Sequence, residues 1–223
     1  MKRLTFQELH QTISLQDPQL ITLVIENTTR FRDYVLRIFA KRGCLEELLT
    51  LSQDLKELDF DESATVVENP LILDLNSKQN LNALSRVIKR SYMDDIKEAV
   101  SKIEEALVET VGKIRLDFGV ELTSEVDLKA EDVFKIANVR FEEDGVSPVE
   151  RLVRYLFIEN ELRGNELAVI LSLRSYFSES EIEQIVAEAR YRGITILDIE
   201  NRAPSNLLPN EKRLVIDNDL CFF

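Results

Sequence analysis

The residues best placed to bind a phosphate group lie in the turn that follows the first strongly apolar segment. Residues 20–25 are almost all apolar and rich in branched side chains, which predicts a strand covered on both faces, followed by a helix. A phosphate-binding loop at such a turn needs glycines that let backbone N–H groups wrap the phosphate, a lysine, and a Ser or Thr for magnesium. This turn has no glycine, no lysine and one acid, and it reads Glu26-Asn27-Thr28-Thr29-Arg30. We therefore expect a degenerate nucleotide site and no bound nucleotide.

Acidic residues crowd a second stretch, between positions 117 and 144. Hard cations such as calcium take several oxygen ligands, so this crowding is compatible with a metal site. No EF-hand spacing is present, however, and the same composition fits a solvated acidic face. Both interpretations stay open for these acids, which are Asp117, Glu121, Glu125, Asp127, Glu131, Asp132, Glu142, Glu143 and Asp144.

Basic residues are also segregated along the chain. Positions 30 to 42 hold five Lys or Arg and one acid, although the whole chain carries a formal charge of −13. A second group consists of Arg86, Lys89, Arg90, Lys97 and Lys102. Charged faces are often merely solvated, but segregation within so acidic a chain keeps open the binding of a phosphate backbone. No helix-turn-helix, zinc-finger or aromatic RNP pattern is present, so base-specific recognition is not expected.

Composition excludes several kinds of chemistry. His10 is the only histidine, so a histidine-rich zinc site, or a Ser-His-Asp triad built on any other histidine, is not available. Cys44 and Cys221 form no CxxC motif, which argues against dithiol redox chemistry and fits a reducing compartment. No apolar run approaches the roughly 20 residues of a membrane span, so we expect a cytoplasmic protein without a membrane partner. The hydrophobic share of 44% in 223 residues is enough for a substantial core.

The elements that position these residues begin with a β-rich segment. Short apolar and branched runs predict strands at 4–6, 12–15, 20–25, 65–67 and 71–73. A helix is expected from the turn at 26–29 to about residue 41, with Gly43 as its C′ residue. Two more helices are predicted, a short one over 45–55 and another at about 78–90.

The middle of the chain is predicted to be mainly helical. Apolar residues recur every three or four positions from Ile96 to Ile114, which predicts a helix over about 94–113 that packs along a single seam. Short strands are expected at 120–122 and 139–141, around a helix at about 130–137. A further helix begins near Ser147-Pro148, because proline suits the first helical position.

The last third returns to α/β alternation. Strands are predicted at 167–171, 194–199 and 214–216, and Ser178 with Glu181 forms a capping box that opens a helix to about residue 190. The strand–helix–strand order predicts a parallel crossover. Because both ends of the chain supply an α/β sheet, we expect an α/β head at 1–90 and 163–223 with an inserted helical leg at 91–162.

The order of these elements resembles that of a known family. The chain is similar to the type II-A CRISPR-associated spacer-acquisition family, whose members assemble as a ring around DNA. Length and order agree across nearly the whole chain, and the agreement is strongest in the tail, from Leu152-Val153-Arg154 to Ile199-Glu200. The segments that carry the resemblance are 22–27, 138–142, 152–156, 167–171, 177–182 and 194–200.

The resemblance implies a fold and a role. It implies a P-loop-ATPase-like head with a degenerate nucleotide site, an inserted helical leg, and a homotetrameric ring with a positively charged hole. Such a ring binds ends of double-stranded DNA without sequence preference and without catalysis, and it acts with CRISPR integrase proteins and the effector nuclease. Calcium stabilises the assembly, depending on the subtype. Its ligands are expected in the acidic stretch, where the candidates are Glu121, Glu125, Glu131 and Glu142.

The leading hypothesis is therefore a non-enzymatic DNA-end-binding ring that serves CRISPR adaptation. Two other functions stay open. One is a divergent nucleotide-binding phosphatase or kinase-like enzyme that uses the acidic cluster with a divalent metal, in which a change of Glu26 or Asp74 would abolish ATP turnover. The other is a protein-interaction scaffold that oligomerises through the seam at 94–113 and binds no DNA. Charge and position select the candidate DNA contacts Arg30, Arg32, Lys97, Lys102, Lys113 and Arg140.

Overall fold

The computed structural model describes residues 1–17, 19–41, 43–118, 123 and 125–221, with the backbone alone at 130, 131, 134 and 135. The chain divides into two compact units. The first, here called the head, comprises Met1–Leu75 and Glu143–Phe223, and the second, here called the insertion, comprises Asn76–Glu142. These boundaries differ from the predicted ones at 90/91 and 162/163.

Nine strands and six helices make up the described chain. The strands are β1 (Lys2–Phe6), β2 (Gln11–Ser14), β3 (Leu20–Ile25), β4 (Leu49–Gln53), β5 (Lys56–Glu57), β6 (Ala64–Val67), β7 (Leu167–Leu171), β8 (Thr195–Glu200) and β9 (Glu211–Ile216). The helices are α1 (Thr28–Ile38), α2 (Phe60–Ser63), α3 (Lys78–Asp117), α4 (Ala130–Ala137), α5 (Pro148–Arg163) and α6 (Glu179–Tyr191). Two short 3-10 turns lie at Leu45–Glu47 and Leu173–Ser175.

A five-stranded parallel sheet forms the centre of the head. Its strand order is β6-β7-β8-β3-β9, and every neighbouring pair is parallel. All six residues of β3 and all six of β8 are buried, as expected for central strands covered on both faces. The predicted α/β fold and the predicted parallel pairing of β7 with β8 are confirmed.

An antiparallel sheet, in the order β2-β1-β4-β5, covers one face of the parallel sheet. Leu4 of β1 lies opposite Leu51 of β4, and both side chains point into the core between the two sheets. The predicted helix over 45–55 is therefore wrong. Only the turn Leu45–Glu47 is helical, because Leu49 and Leu51 alternate into the core from a hairpin whose turn holds Asp54 and Leu55 at positive φ.

Helices α5 and α6 cover the other face. Each begins at a serine that forms a capping box, Ser147 with Glu150 and Ser178 with Glu181. Leu152 and Leu156 of α5 pack in the same core as Ile170 of β7. This burial places α5 in the head, although it lies within the predicted leg.

The insertion consists of α3 and α4, which pack against each other. Helix α3 has 40 residues, a length of roughly 60 Å, and includes both helices predicted at 78–90 and 94–113. Its backbone is non-helical at Tyr92 (φ −129°, ψ 24°), which marks a kink. The Asn76 side chain donates to the Phe141 carbonyl at 2.9 Å and accepts from the Phe141 amide at 2.7 Å, so these two bonds link the ends of the insertion.

Two further predicted strands are absent from the described residues. Segment 71–73 forms no strand because Asn69 starts a turn in which its side chain accepts from the Leu71 amide at 3.0 Å. Segment 139–141 forms none because Asn138, at positive φ, follows α4 and Phe141 pairs with the Asn76 side chain. The strand predicted at 120–122 lies outside the described residues. None of the described helices combines the length and apolarity that a membrane span requires.

Candidate functional site

The turn after β3 is closed by hydrogen bonds to neighbouring segments. The Asn27 side-chain oxygen accepts from the Arg30 backbone amide and caps α1. The Asn27 side-chain nitrogen donates to the Asn218 carbonyl at 3.1 Å. The Asn201 side chain donates to the Ile25 carbonyl at 2.9 Å. The turn thus supplies a helix cap and a carboxylate, Glu26, but no lysine and no glycine that would let the backbone wrap a phosphate. The degenerate character predicted for this turn agrees with its geometry.

The two acids of the enzyme hypothesis follow different strands. Glu26 comes directly after β3, whereas Asp74 lies in the segment that follows β6. Strands β7 and β8 separate β3 from β6 in the sheet, a distance of roughly 14 Å. The fold therefore gives no reason to treat Glu26 and Asp74 as one catalytic pair.

Of the four candidate calcium ligands, the structure describes the side chains of two. Glu125 and Glu142 are both exposed, Glu121 lies outside the described residues, and the Glu131 side chain does too. Within the described part of the chain, no group of three or more His, Cys, Asp or Glu side chains comes close enough to hold a metal ion. The calcium site stays a prediction.

Two acids of the same stretch, and Glu104 of α3, bind backbone amides. The Glu143 side chain accepts from the Leu75 amide at 3.1 Å within the head. In the insertion, Glu104 accepts from the Leu128 amide at 3.2 Å, and Asp132 accepts from the Lys129 amide at 3.0 Å. These carboxylates fix loops next to α3, α4 and α5, so Asp132 and Glu143 have structural roles within the acidic stretch.

Arg30 is bound on several sides within the head. Its guanidinium forms a bidentate pair with Glu8, a 2.5 Å bond with Asp33 and a cation–π contact 5.6 Å from the centre of the Tyr34 ring. The Tyr34 hydroxyl donates to Glu8 at 2.9 Å, and burial raises the pKa of Tyr34 to about 12, so the phenol stays a donor. Arg30 joins α1 to the turn between β1 and β2, and its charge is balanced by two carboxylates.

The other candidate cations are exposed and lightly held. Arg32 is exposed on α1, and Arg140 is exposed with one bond to the Asn138 side chain at 2.7 Å. On α3, Lys97 lies 3.8 Å from Asp94, Lys102 pairs with Glu98 at 2.5 Å and Lys113 pairs with Glu109 at 2.6 Å. All three lysines are about 70% exposed, and exposed pairs of this kind contribute little stability, so a phosphate can replace the carboxylate.

The most strongly basic part of the insertion is the start of α3. From Lys78 to Arg90 there are four Lys or Arg and no acid. Arg86 and Arg90 are exposed and stand four residues apart, so they lie on the same side of the helix. Both belong to the second basic group of the sequence, but neither is among the six selected DNA contacts.

The far half of α3 exposes an apolar stripe. Leu107, Val111 and Ile114 follow one another at spacings of four and three residues, which places them along one side of the helix axis. Phe118 comes directly after the helix, with an extended backbone. Leu107 and Ile114 are 42% and 44% exposed, and Phe118 is 58% exposed. A helix that exposes such a stripe has a surface suited to another helix.

The described chain is thus an α/β protein with a five-stranded parallel sheet, a turn after β3 that lacks the phosphate-binding residues, and an inserted helical unit with exposed cations. The family model described as CRISPR-associated protein (Cas_Csn2) matches residues 44–220, which is most of the chain. The chain belongs to this CRISPR-associated family. A curated relative, the CRISPR-associated protein Csn2 of Enterococcus faecalis, is 21% identical over 206 residues, or 92% of each chain. The predicted resemblance is confirmed.

Solved structures with a similar course of the chain are more distant. A putative ABC transporter ATP-binding protein from Pyrococcus furiosus aligns over 95% of this chain and 96% of its own, with a TM-score of 0.43 and 10% identity. The ADP conformation of an ATP-binding cassette of an ABC transporter aligns over 92% and 83%, with a TM-score of 0.45 and 11% identity. At these scores the likeness is too remote to assign an activity.

Proposed function

We propose that this protein binds ends of double-stranded DNA, without sequence preference and without catalysis, as a homotetrameric ring during the acquisition of new CRISPR spacers. The observation that carries the proposal is the family match over residues 44–220, since membership supports a role in CRISPR adaptation. The partners in this role are CRISPR integrase proteins and the effector nuclease. The proposed location is the cytoplasm, where these partners meet DNA.

The distribution of charge supports DNA as the ligand. The whole chain carries −13, yet the start of α3 is a basic run without an acid. The lysines farther along α3 are exposed, and each lies beside an exposed carboxylate that a phosphate could replace. Binding to a phosphate backbone depends on where cations lie rather than on net charge. Lys97, Lys102, Lys113 and Arg140 are therefore proposed contacts on the insertion, and Arg32 is one on the head.

The exposed apolar stripe on α3 supports self-association. Its helical positions Leu107, Val111 and Ile114 suit a seam with a helix of a second copy, and a ring of identical subunits requires such an interface. Calcium is proposed to stabilise that assembly through carboxylates of the acidic stretch. The stripe also favours the second candidate function, a scaffold that oligomerises through the insertion and binds no DNA.

The test compares one duplex as a linear fragment and as a closed circle, each mixed with the purified protein with and without calcium. We expect binding to the linear form alone, because a closed ring can thread DNA only from an end. Binding to the linear form should also fall steeply with salt, since each phosphate contact releases counterions.

The other outcomes distinguish the alternatives. Equal binding to both forms would mean an open surface contact and would contradict the ring. No binding to either form would favour the scaffold. A salt-independent affinity for the linear fragment would show that phosphate contacts do not carry the binding.

A further inference from the structure

A buried polar cluster lies on the α5 and α6 face of the parallel sheet in the head. Asp198 and Glu200 of β8, two residues apart and therefore on the same face of the strand, are 0% and 7% exposed. Thr22 lies opposite Asp198 on β3, and Glu211 stands at the start of β9 with its side chain buried. Arg174, from the 3-10 turn Leu173–Ser175, completes the cluster.

Glu211 forms an ion pair with Arg174. The Arg174 guanidinium donates to Glu211 Oε2 at 2.6 Å, and the Leu208 amide donates to the same oxygen at 2.8 Å. The Thr22 hydroxyl donates to Glu211 Oε1 at 2.6 Å. Both oxygens of this carboxylate are therefore satisfied. Arg174 is paired through one terminal nitrogen, and its buried Nε donates to no described acceptor.

Asp198 and Glu200 are left with one backbone donor each. The Leu173 amide donates to Asp198 Oδ1 at 2.9 Å, and the Arg174 amide donates to Glu200 Oε1 at 3.0 Å. Asp198 Oδ2 is buried and accepts no hydrogen bond from a described donor. Glu200 lies two residues from Asp198 on the same buried face of β8. Two ionised carboxylates only accept, so a hydrogen bond between these two side chains requires a proton.

The positive charge of Arg174 favours an ionised Asp198, but its effect on the pKa is smaller than that of burial. Neighbouring strands present Thr22 and Ile170 at this level, and the cores of α5 and α6 on this face are apolar. The charged groups that face the pair are Arg174, Glu211 and, from β9, Arg213, whose guanidinium donates to the Pro204 carbonyl at 3.2 Å. Burial first, and then the nearby Glu200, raise the pKa of Asp198 well above its ordinary value, and burial also raises the pKa of Glu200.

We propose that Asp198 stays protonated at neutral pH and donates to Glu200, so that the junction of β8 with the 3-10 turn Leu173–Ser175 is a proton-dependent clasp in the head. The folded state then binds one proton more than the unfolded state above the pKa of a free Asp. Stability consequently falls as pH rises from that value towards the pKa of folded Asp198. Loss of the proton would set two buried carboxylates against each other and loosen the two amides that they hold.

The test is the pH dependence of unfolding by urea for the wild type, Asp198→Asn and Glu200→Gln, from about pH 5 to about pH 8. The side-chain amide introduced by Asp198→Asn would keep the acceptor for the Leu173 amide and supply a permanent donor to Glu200. We therefore expect the wild type to lose stability relative to Asp198→Asn as pH rises, with the ratio of their unfolding constants changing by up to about tenfold per pH unit. The control is Glu188→Gln, which removes an exposed carboxylate of α6 and should follow the wild type.

An infrared measurement decides the question without relying on one variant. The wild type at about pH 7 should show the carbonyl stretch of a protonated carboxyl group, which Asp198→Asn lacks and Glu200→Gln shifts. A difference between wild type and Asp198→Asn that does not change with pH would overturn the proposal. So would the absence of the protonated carboxyl band from the wild type.

Discussion

A single arginine shows how position in the fold decides what a cation does. Arg30 has the residue type of a phosphate contact, but its guanidinium is shared between Glu8 and Asp33 and only about a quarter of its side chain is exposed. Its partner Glu8 lies 22 residues earlier in the chain, so no local sequence pattern predicts this ion pair. Charge and position alone predicted a DNA contact, and the described geometry instead favours a structural role.

Replacement of Arg30 tests that role. We expect Arg30→Gln to lower the free energy of unfolding by about 1 to 3 kcal/mol, because Glu8 and Asp33 lose a partly buried partner. The salt dependence of DNA binding should not change. Urea unfolding and a fluorescence anisotropy titration measure the two effects. Arg32→Gln on the same helix is the comparison: Arg32 is exposed and a proposed DNA contact, so this variant should keep the stability and reduce the salt slope. A changed salt slope with unchanged stability would restore Arg30 as a DNA contact.

The buried carboxyls of Asp198 and Glu200 differ from Arg30, because their unusual position is already visible in the sequence. Asp198 and Glu200 occupy alternate positions of a strand whose other residues are apolar or threonine, and this alternation is visible in the sequence. Their partners are not, because Leu173 and Arg174 come from a turn 25 and 26 residues away. The two acids in an apolar strand are therefore visible in the sequence, but only the fold shows which backbone amides they bind.

At the scale of elements, local signals predicted those helices whose ends are fixed by their own side chains. The capping boxes at Ser147 and Ser178 mark the starts of α5 and α6 in both the sequence and the structure, since the interacting groups lie three residues apart. The helix predicted over 45–55 was wrong because the leucines of this segment suit a helix as well as a strand. Pairing with β1, more than 40 residues away, decides between them.

The basic run at the start of α3 allows a specific prediction for DNA binding. We expect the double variant Arg86→Gln, Arg90→Gln to reduce the slope of log affinity against log salt by about two, because each lost phosphate contact removes about one released counterion. Binding to the linear fragment is measured at several salt concentrations. The effect should be the same for duplexes of different sequence.

The matched control removes the same charge from the head. Arg190 and Arg202 are exposed there, so Arg190→Gln, Arg202→Gln changes the net charge equally. An equal loss of slope in both double variants would mean that net charge, and not the α3 surface, governs binding.

At the scale of the whole molecule, the two-part division of the chain was predictable but its boundaries were not. Chain order alone showed that both ends contribute to one sheet. The boundary after Leu75, and the return at Glu143, depend on long-range contacts such as the packing of α5 on β7 and the pairing of Asn76 with Phe141. A periodic helix such as α5 looks the same in sequence whether it packs in a head or in a leg.

Self-association is the property that links the insertion to a ring. We expect the double variant Leu107→Glu, Ile114→Glu to form a smaller species than the wild type, because two charges on the stripe would have to be buried against the partner helix. Light scattering after size exclusion measures the mass, and binding to linear duplex should weaken in parallel. The matched control, Ile72→Glu with Leu207→Glu, alters two equally apolar exposed residues of the head and should leave the mass unchanged. An unchanged mass for the α3 variant would exclude this stripe as the seam, and any ring would then have to form through other surfaces.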